Sequence, residues 1–217
     1  MRSPSTPRGP DRAPARAAPP RRARRFAWRD AEFVALDFET TGLDPATDHI
    51  VSFGTVPVRG GRVVLAEARY VEVAPPSWPS HRSVPIHQLR PADLASAPPI
   101  TEARDQLDQA LTGRFLVCWA AGVEAVFLDA LFGGGARRWL RRSVDVLPMT
   151  TLLEHIQRGD RADLRLASVS RRYGVPVDRP HHALGDALMT AQLFLVIASK
   201  LESLGYKRVR ELLRLTR

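Results

Sequence analysis

Residues 33–40 read Phe-Val-Ala-Leu-Asp-Phe-Glu-Thr, an apolar run interrupted by two acids two positions apart. Such a run predicts a strand, and the turn chemistry of Thr41-Gly42-Leu43-Asp44-Pro45 closes it. Residues 49–59 predict a second strand, and Gly60-Gly61 a hairpin into a third over about 62–73. A Pro-rich loop at 75–85 leads to short helices around 91–96 and 101–112. Phe-Leu-Val-Cys-Trp-Ala at 115–120 reads as a short buried strand, and 122–132 as a helix broken by three glycines at 133–135. A strand near 143–147 precedes a helix beginning near Pro148, which suits a first helical turn. Helices over 164–172 and about 183–204 complete the pattern. Hairpin strands followed by alternating helices and strands predict an α/β domain with a mixed sheet.

In a strand, positions i and i+2 share a face, so Asp37 and Glu39 lie side by side while Val34, Leu36 and Phe38 turn into a core. Two adjacent carboxylates on an apolar strand repel each other and lose hydration. A bound cation removes both costs, and oxygen ligands suit Mg²⁺ or Mn²⁺. On these residues alone, an edge strand with a solvated acidic face is the alternative.

Composition changes the picture in one respect. The chain has 217 residues, 44% hydrophobic, enough for one domain with a real core, and a net charge of +9. The basicity is uneven. Residues 1–25 hold eight Arg, one Asp and six Pro, which leaves 24 Lys+Arg against 22 Asp+Glu in 26–217. The chain therefore divides into a disordered Arg/Pro-rich tail, 1–25, and a domain, 26–217. The tail is either solvated or a non-specific polyanion contact. No apolar segment follows its Arg pairs as a secretion signal requires. The apolar run 187–198 is too short to span a bilayer, and Cys118 is the sole cysteine. A cytoplasmic protein with no membrane partner is the expectation. Arg outnumbers Lys 30 to 2, which reads as codon bias rather than Arg-specific chemistry.

A second constellation occurs at His181-His182-Ala183-Leu184-Gly185-Asp186. Asp186 interrupts an apolar helix and needs a partner; the metal held by Asp37 and Glu39 is one candidate. His181 precedes the helix, where it could act as a general base. An ordinary solvated turn is the alternative for both histidines.

Asp37-Phe38-Glu39-Thr40-Thr41-Gly42-Leu43 resembles the first motif of the DEDDh 3′–5′ exonucleases, the family of the proofreading epsilon subunit of bacterial DNA polymerase III. His181-x-x-x-x-Asp186 resembles its third motif, and Ser83-Val84-Pro85-Ile86-His87 a segment in which a His lines the nucleotide pocket. The similarity runs over about 33–198. The second motif departs. The family usually has His-Asn-Ala-x-Phe-Asp, but here Trp119 and Ala120 stand for His-Asn, Val123 for Phe, and Glu124 for the acid. Asp129 is a competitor beyond the expected register.

The resemblance implies a ribonuclease-H-like three-layer fold, with a mixed five-stranded sheet flanked by helices. It also implies hydrolysis with two ions, Mg²⁺ or Mn²⁺. Asp37 would bridge both ions, Glu39 and Asp186 would complete one site, and Glu124 would support the second, while His181 takes the proton from the attacking water. The nucleotide pocket maps onto Thr40, Thr41, Gly42, Leu43, His87 and Val123. Backbone amides of 40–42 would hold the 3′ end, and Leu43 would pack on the terminal base. The expected substrate is the 3′ end of single-stranded or frayed DNA, ahead of RNA, with a polymerase as candidate partner. The alternatives are an oligoribonuclease-type enzyme, or a non-catalytic nucleic-acid-binding module on a degenerate fold.

Other features have plain readings. Trp119 is core or pocket wall, Asp145 is structural, and Gln192-Leu193-Phe194, which is similar to a sliding-clamp pattern, is core packing. Arg137-Arg138 and Arg141-Arg142 form a basic cluster: a solvated face, or else a nucleic-acid backbone contact.

Overall fold

A computed structural model describes residues 18–77, 89–158 and 163–216. The strands are β1 (Phe33–Thr40), β2 (Ile50–Arg59), β3 (Arg62–Val63), β4 (Arg69–Glu72), β5 (Phe115–Cys118) and β6 (Ser143–Asp145). They form one mixed sheet in the order β3-β2-β1-β5-β6, with β4 also on β2. β1 and β2 are antiparallel, whereas β5 and β6 run parallel to β1. The single third strand expected over 62–73 is two pieces: a 3₁₀ turn at Leu65–Glu67 interrupts it, and β3 and β4 pair with different parts of β2. The sheet thus has six strands in five positions.

Both faces of the sheet are buried, so β1 is a central strand and the edge-strand alternative falls away. Val34, Leu36 and Phe38 join Leu116 and Cys118 in a core beneath α1 (Ile100–Leu111), α2 (Gly122–Phe132) and α3 (Ala136–Leu140). Phe33, Ala35, Val56, Val58, Phe115 and Val117 join the opposite core. That core lies under α4 (Val146–Arg158), α5 (Leu166–Arg172), α6 (Ala183–Ser203) and α7 (Val209–Leu215). Strand alternation alone sends neighbouring side chains into different layers.

Some expectations move. Residues 91–96 form turns, with Leu94 buried, rather than a helix. α4 begins at Val146, leaving Pro148 in the first turn, where its missing N–H costs nothing. α7 was not anticipated; it is tied to the chain's early part by Trp28 N–H donating to the Lys207 carbonyl and Val209 N–H to the Phe26 carbonyl. The boundary at 25/26 also shifts. Residues 21–25 form a 3₁₀ helix whose Ala23 is buried in the α6-side core, because this segment packs on α7. Residues 1–17 lie outside the described residues. At 21 residues α6 is long and apolar enough to cross a membrane, contrary to the expectation from 187–198, but half of that stretch is buried inside the domain. Leu193 and Phe194 are fully buried, and Phe194 packs on Trp28 and Phe33, so the clamp-like pattern is core.

Candidate active site

The site forms where β1 ends, against the first turns of α6 and α2. Ligand oxygens of Asp37, Glu39 and Asp186 all lie within 4.8 Å of one another. β1 supplies the first two by its two-residue repeat. Asp186 arrives from α6, which crosses β2 and β1. Its approach depends on Gly54, the β2 residue opposite Asp37. A Cβ there would collide with the Ala183 carbonyl and the Leu184 Cα. Gly54 was missed in the sequence, although a glycine inside a strand run is a signal of close backbone approach.

The electrostatics are those of carboxylates that repel one another, with only the two neighbouring imidazoles opposing among the described residues. Burial pushes the Asp37 carboxyl well above the ordinary range, and Glu124, Asp186 and Glu39 push it further. Burial, then Asp186, raises Glu39 to about 7. Burial also raises Asp186, opposed by the His181 amide and the two imidazoles. Three oxygen donors this close, each held above its normal pKa, fit a divalent cation, which would reverse that penalty.

Glu124 lies outside the three-carboxylate group, on the Asp37 side. It is 4% exposed in the first turn of α2 and raised to about 8 by burial and by Asp145, and its Oε2 has no hydrogen-bond partner among the described residues. Asp145 holds the approach to this turn: its carboxylate accepts from the amides of Ala120 (3.0 Å), Ala121 (2.9 Å) and Leu147 (3.0 Å). Ala120, at the motif's Asn position, has φ 61°, a left-handed conformation that Asn tolerates better than Ala. Trp119 packs partly buried against the α6-side core. Asp129 turns away and accepts from the Gly135 amide at 2.8 Å.

His181 is exposed, with φ 64°, and its amide donates to Asp186 Oδ2 at 3.1 Å. The preceding turn closes over Gly185, where a Cβ would meet the carbonyls of Asp178 (2.7 Å) and Arg179 (2.8 Å). His182 is not the solvated turn residue expected. It stacks on Tyr70 of β4 at 4.2 Å between ring centroids and 26° between planes, and Tyr70 Oη donates to Glu72. No local sequence signal pairs residues 112 positions apart.

The 40–43 loop is pinned from within. Thr41 N–H donates to the His49 carbonyl at 2.9 Å, the His49 amide donates to Thr41 Oγ1 at 3.0 Å, and Thr40 Oγ1 donates to the Gly42 carbonyl. The Thr41 amide is therefore already taken among the three expected to hold a 3′ end. Leu43 is 72% exposed and Val123 is half-buried. His87 lies outside the described residues.

Comparison with known proteins agrees with this geometry. The RNase_T family model, described as exonuclease, matches residues 34–194. The chain belongs to this exonuclease family. It is 30% identical over 187 residues to a PolC-type DNA polymerase III of Thermotoga maritima, covering 84% of this chain and 13% of that protein. It is 31% identical over 179 residues to a DNA polymerase III subunit epsilon-like protein of Rhodobacter capsulatus, covering 80% and 24%. The chain thus spans a quarter or less of the length of these relatives. Among solved structures, Exonuclease X in complex with 5′ overhanging duplex DNA superposes with TM-score 0.63 at 18% identity, over 85% of this chain and 99% of that one. E. coli Exonuclease I with a dT13 oligonucleotide gives 0.66 at 16% identity, over 81% and 42%. The fold is ribonuclease-H-like.

Proposed function

We propose that this chain is a metal-dependent 3′–5′ exonuclease of the DEDDh type, with Glu124 in place of the usual second-motif Asp, acting on single-stranded or frayed DNA ends. The observation that carries the reading is the meeting of Asp37, Glu39 and Asp186, from two elements remote in sequence, in one cluster of mutually repelling carboxylates.

Asp37, Glu39 and Asp186 would hold a divalent ion, Mg²⁺ or Mn²⁺, and Glu124 would assist a second beside Asp37. When bound, the ions would activate the attacking water and neutralise charge on the scissile phosphate. The chain's own residues do the rest. His181 takes the water's proton at its imidazole, from a backbone fixed by the hydrogen bond that its amide N–H donates to Asp186 Oδ2. Leu43 offers an exposed apolar surface for the terminal base, on a loop held by Thr41, and Val123, partly buried in the first turn of α2, would add to the nucleotide pocket. Packing on a base in this way is sequence-tolerant. Relatives named as polymerase III proteins support a polymerase association and a cytoplasmic setting.

A second reading, a binding module without catalysis, has one observation in its favour: Glu124 stands outside the carboxylate group, in a motif altered from Trp119 onward. Matched 5′-labelled DNA and RNA oligonucleotides, incubated with Mg²⁺, Mn²⁺ or EDTA, decide between these. The proposal expects a ladder shortening from the 3′ end of DNA, abolished by EDTA. Faster loss of short RNA would favour the oligoribonuclease type. Binding without shortening in either metal would sink the catalytic reading.

A further inference from the structure

Across most of the described surface, arginines are neutralised. Arg29 pairs with Glu202, Arg59 with Glu32 and Glu67, Arg90 with Asp93, Arg165 with Asp163, and Arg172 with Glu154. The β6 edge of the sheet is different. Segments 18–29 and 130–144 contain no acid. The tertiary structure joins them: Arg24 Nη2 donates to the Arg141 carbonyl at 3.0 Å, and Arg208 Nη1 to the Arg25 carbonyl at 3.4 Å. Arg22, Arg25, Arg137, Arg138, Arg141 and Arg214 are exposed there, and none has an ion pair among the described residues. Arg142 is not one of them. It is buried and spent on the carbonyls of Leu111 (2.7 Å) and Arg114 (2.8 Å).

This edge also carries a cleft of about 510 Å³ lined by Arg137, Leu140, Arg141 and Thr216. Its wall is tied to the site. Thr216 Oγ1 accepts from the Asp145 amide at 3.0 Å, and the Asp145 carboxylate holds the Ala120 and Ala121 amides that lead into Glu124. A solvated face is the bland explanation. It does not account for two unpaired arginines lining one cleft while a second arginine-rich segment, over 100 residues away, docks beside them through Arg24, when most other arginines of the domain have partners.

We infer that this arginine edge binds the sugar-phosphate backbone of a nucleic-acid substrate beyond the nucleotides held at the carboxylate cluster. The inference rests on the nuclease reading for its substrate, but its binding test does not need turnover. The chemistry is that of point charges and forked donors meeting phosphates. It would let the domain retain a strand whose end is being shortened.

The test uses the full chain and its Arg137→Ala/Arg141→Ala and Arg137→Lys/Arg141→Lys variants. Thermal melts check that each is folded. Binding of a fluorescein-labelled oligo-dT of about 20 nucleotides is followed by anisotropy in EDTA across a salt series. Each phosphate contact on a single strand contributes about 0.7 to the slope of log affinity on log salt. The double Ala variant should therefore lose about 1.4 from the slope and bind about tenfold more weakly at low salt, while the Lys variant stays near wild type. In turnover, KM for the long strand should rise, while kcat and the hydrolysis of a trinucleotide stay unchanged. Unaltered affinity and slope in the Ala variant overturn the inference, as does a fall in trinucleotide turnover, which would place the arginines at the site itself. Equal competition by polyglutamate would replace nucleic acid with any polyanion and likewise overturn it. Weakened binding by the Ala variant of a chain that hydrolyses nothing would sink the catalytic proposal and leave the arginine edge standing.

Discussion

Gly54 stands opposite Asp37 in the β1–β2 ladder, and the Ala183 carbonyl at the start of α6 occupies the space where a side chain on Gly54 would be. One hydrogen atom thus brings the helix carrying Asp186 down onto the strand carrying Asp37. Gly54→Ala should destabilise the domain by about 1–3 kcal/mol, as overpacking of a tight interface does. It should lower kcat by at least tenfold, because the three carboxylates part. Chemical denaturation and kinetics on the same preparation measure both. Wild-type turnover in this variant would show that the close approach does not build the site.

The two adjacent histidines should behave differently. His181→Ala is expected to lose roughly two to four orders of magnitude of turnover, the range for a general base. His182→Ala and Tyr70→Ala remove the ring stack that steadies the turn, and should cost about tenfold, with Tyr70→Phe near wild type because the stack survives. An equal or larger effect at His182 would exchange the roles.

Glu124 carries a buried carboxylate with one oxygen unpartnered among the described residues. Glu124→Gln should reduce turnover by roughly 10–100-fold, the usual weight of residues supporting a metal ligand set. Glu124→Asp should retain more, since charge is kept and reach is lost. Asp129→Asn is the control and should leave rates unchanged, because that side chain serves the Gly135 turn. Damage at Asp129 instead would show that the motif register is misread.

Acid stability of the metal-free protein follows from the same cluster. Glu39 and Glu124 are raised from an ordinary 4.5 to about 7 and about 8. The folded chain therefore holds protons that the unfolded chain has released, and the stability these two groups contribute, complete below about pH 4.5, is lost as pH rises toward about 8. The loss should be a few kcal/mol in order of magnitude, since each tenfold change in proton affinity is worth about 1.4 kcal/mol before solvent screening. Mg²⁺ should restore more stability at pH 8 than at pH 5.5, because ligands must be ionised to bind it. Melting curves in EDTA that are flat or rising between pH 5 and 8 would contradict the arrangement.

Ala120 holds φ 61° while its amide binds Asp145. Ala120→Gly should stabilise the domain by about 0.5–1 kcal/mol, the relief of a left-handed Ala less the added freedom of Gly when unfolded. Activity should change little. A loss of stability would mean that this backbone conformation is not the one populated.

Much of the fold could be read from periodicity alone. The alternation in 33–40 placed Asp37 and Glu39 on one face and Val34, Leu36 and Phe38 on the other; the apolar run in 115–120 gave a buried strand, and the long apolar stretch after 183 a core helix. These are local properties, set by how each backbone conformation disposes neighbouring side chains. The spacing of His181 to Asp186 likewise needs only five residues of helix entry. What lay beyond reach were contacts between segments distant in sequence. The break in the third strand comes from its two halves pairing with different parts of β2, and the order in residues 21–25 comes from α7. Tyr70 under His182, the Arg24 contact to Arg141, and Glu124 standing apart from the other three acids are all distances across the fold. Sequence determined which residues could carry charge and on which face of its own element each would lie. Only tertiary packing, through a missing side chain at Gly54 and a carboxylate at Asp145, decided which charges meet, because burial and mutual distance, not residue type, set their energies.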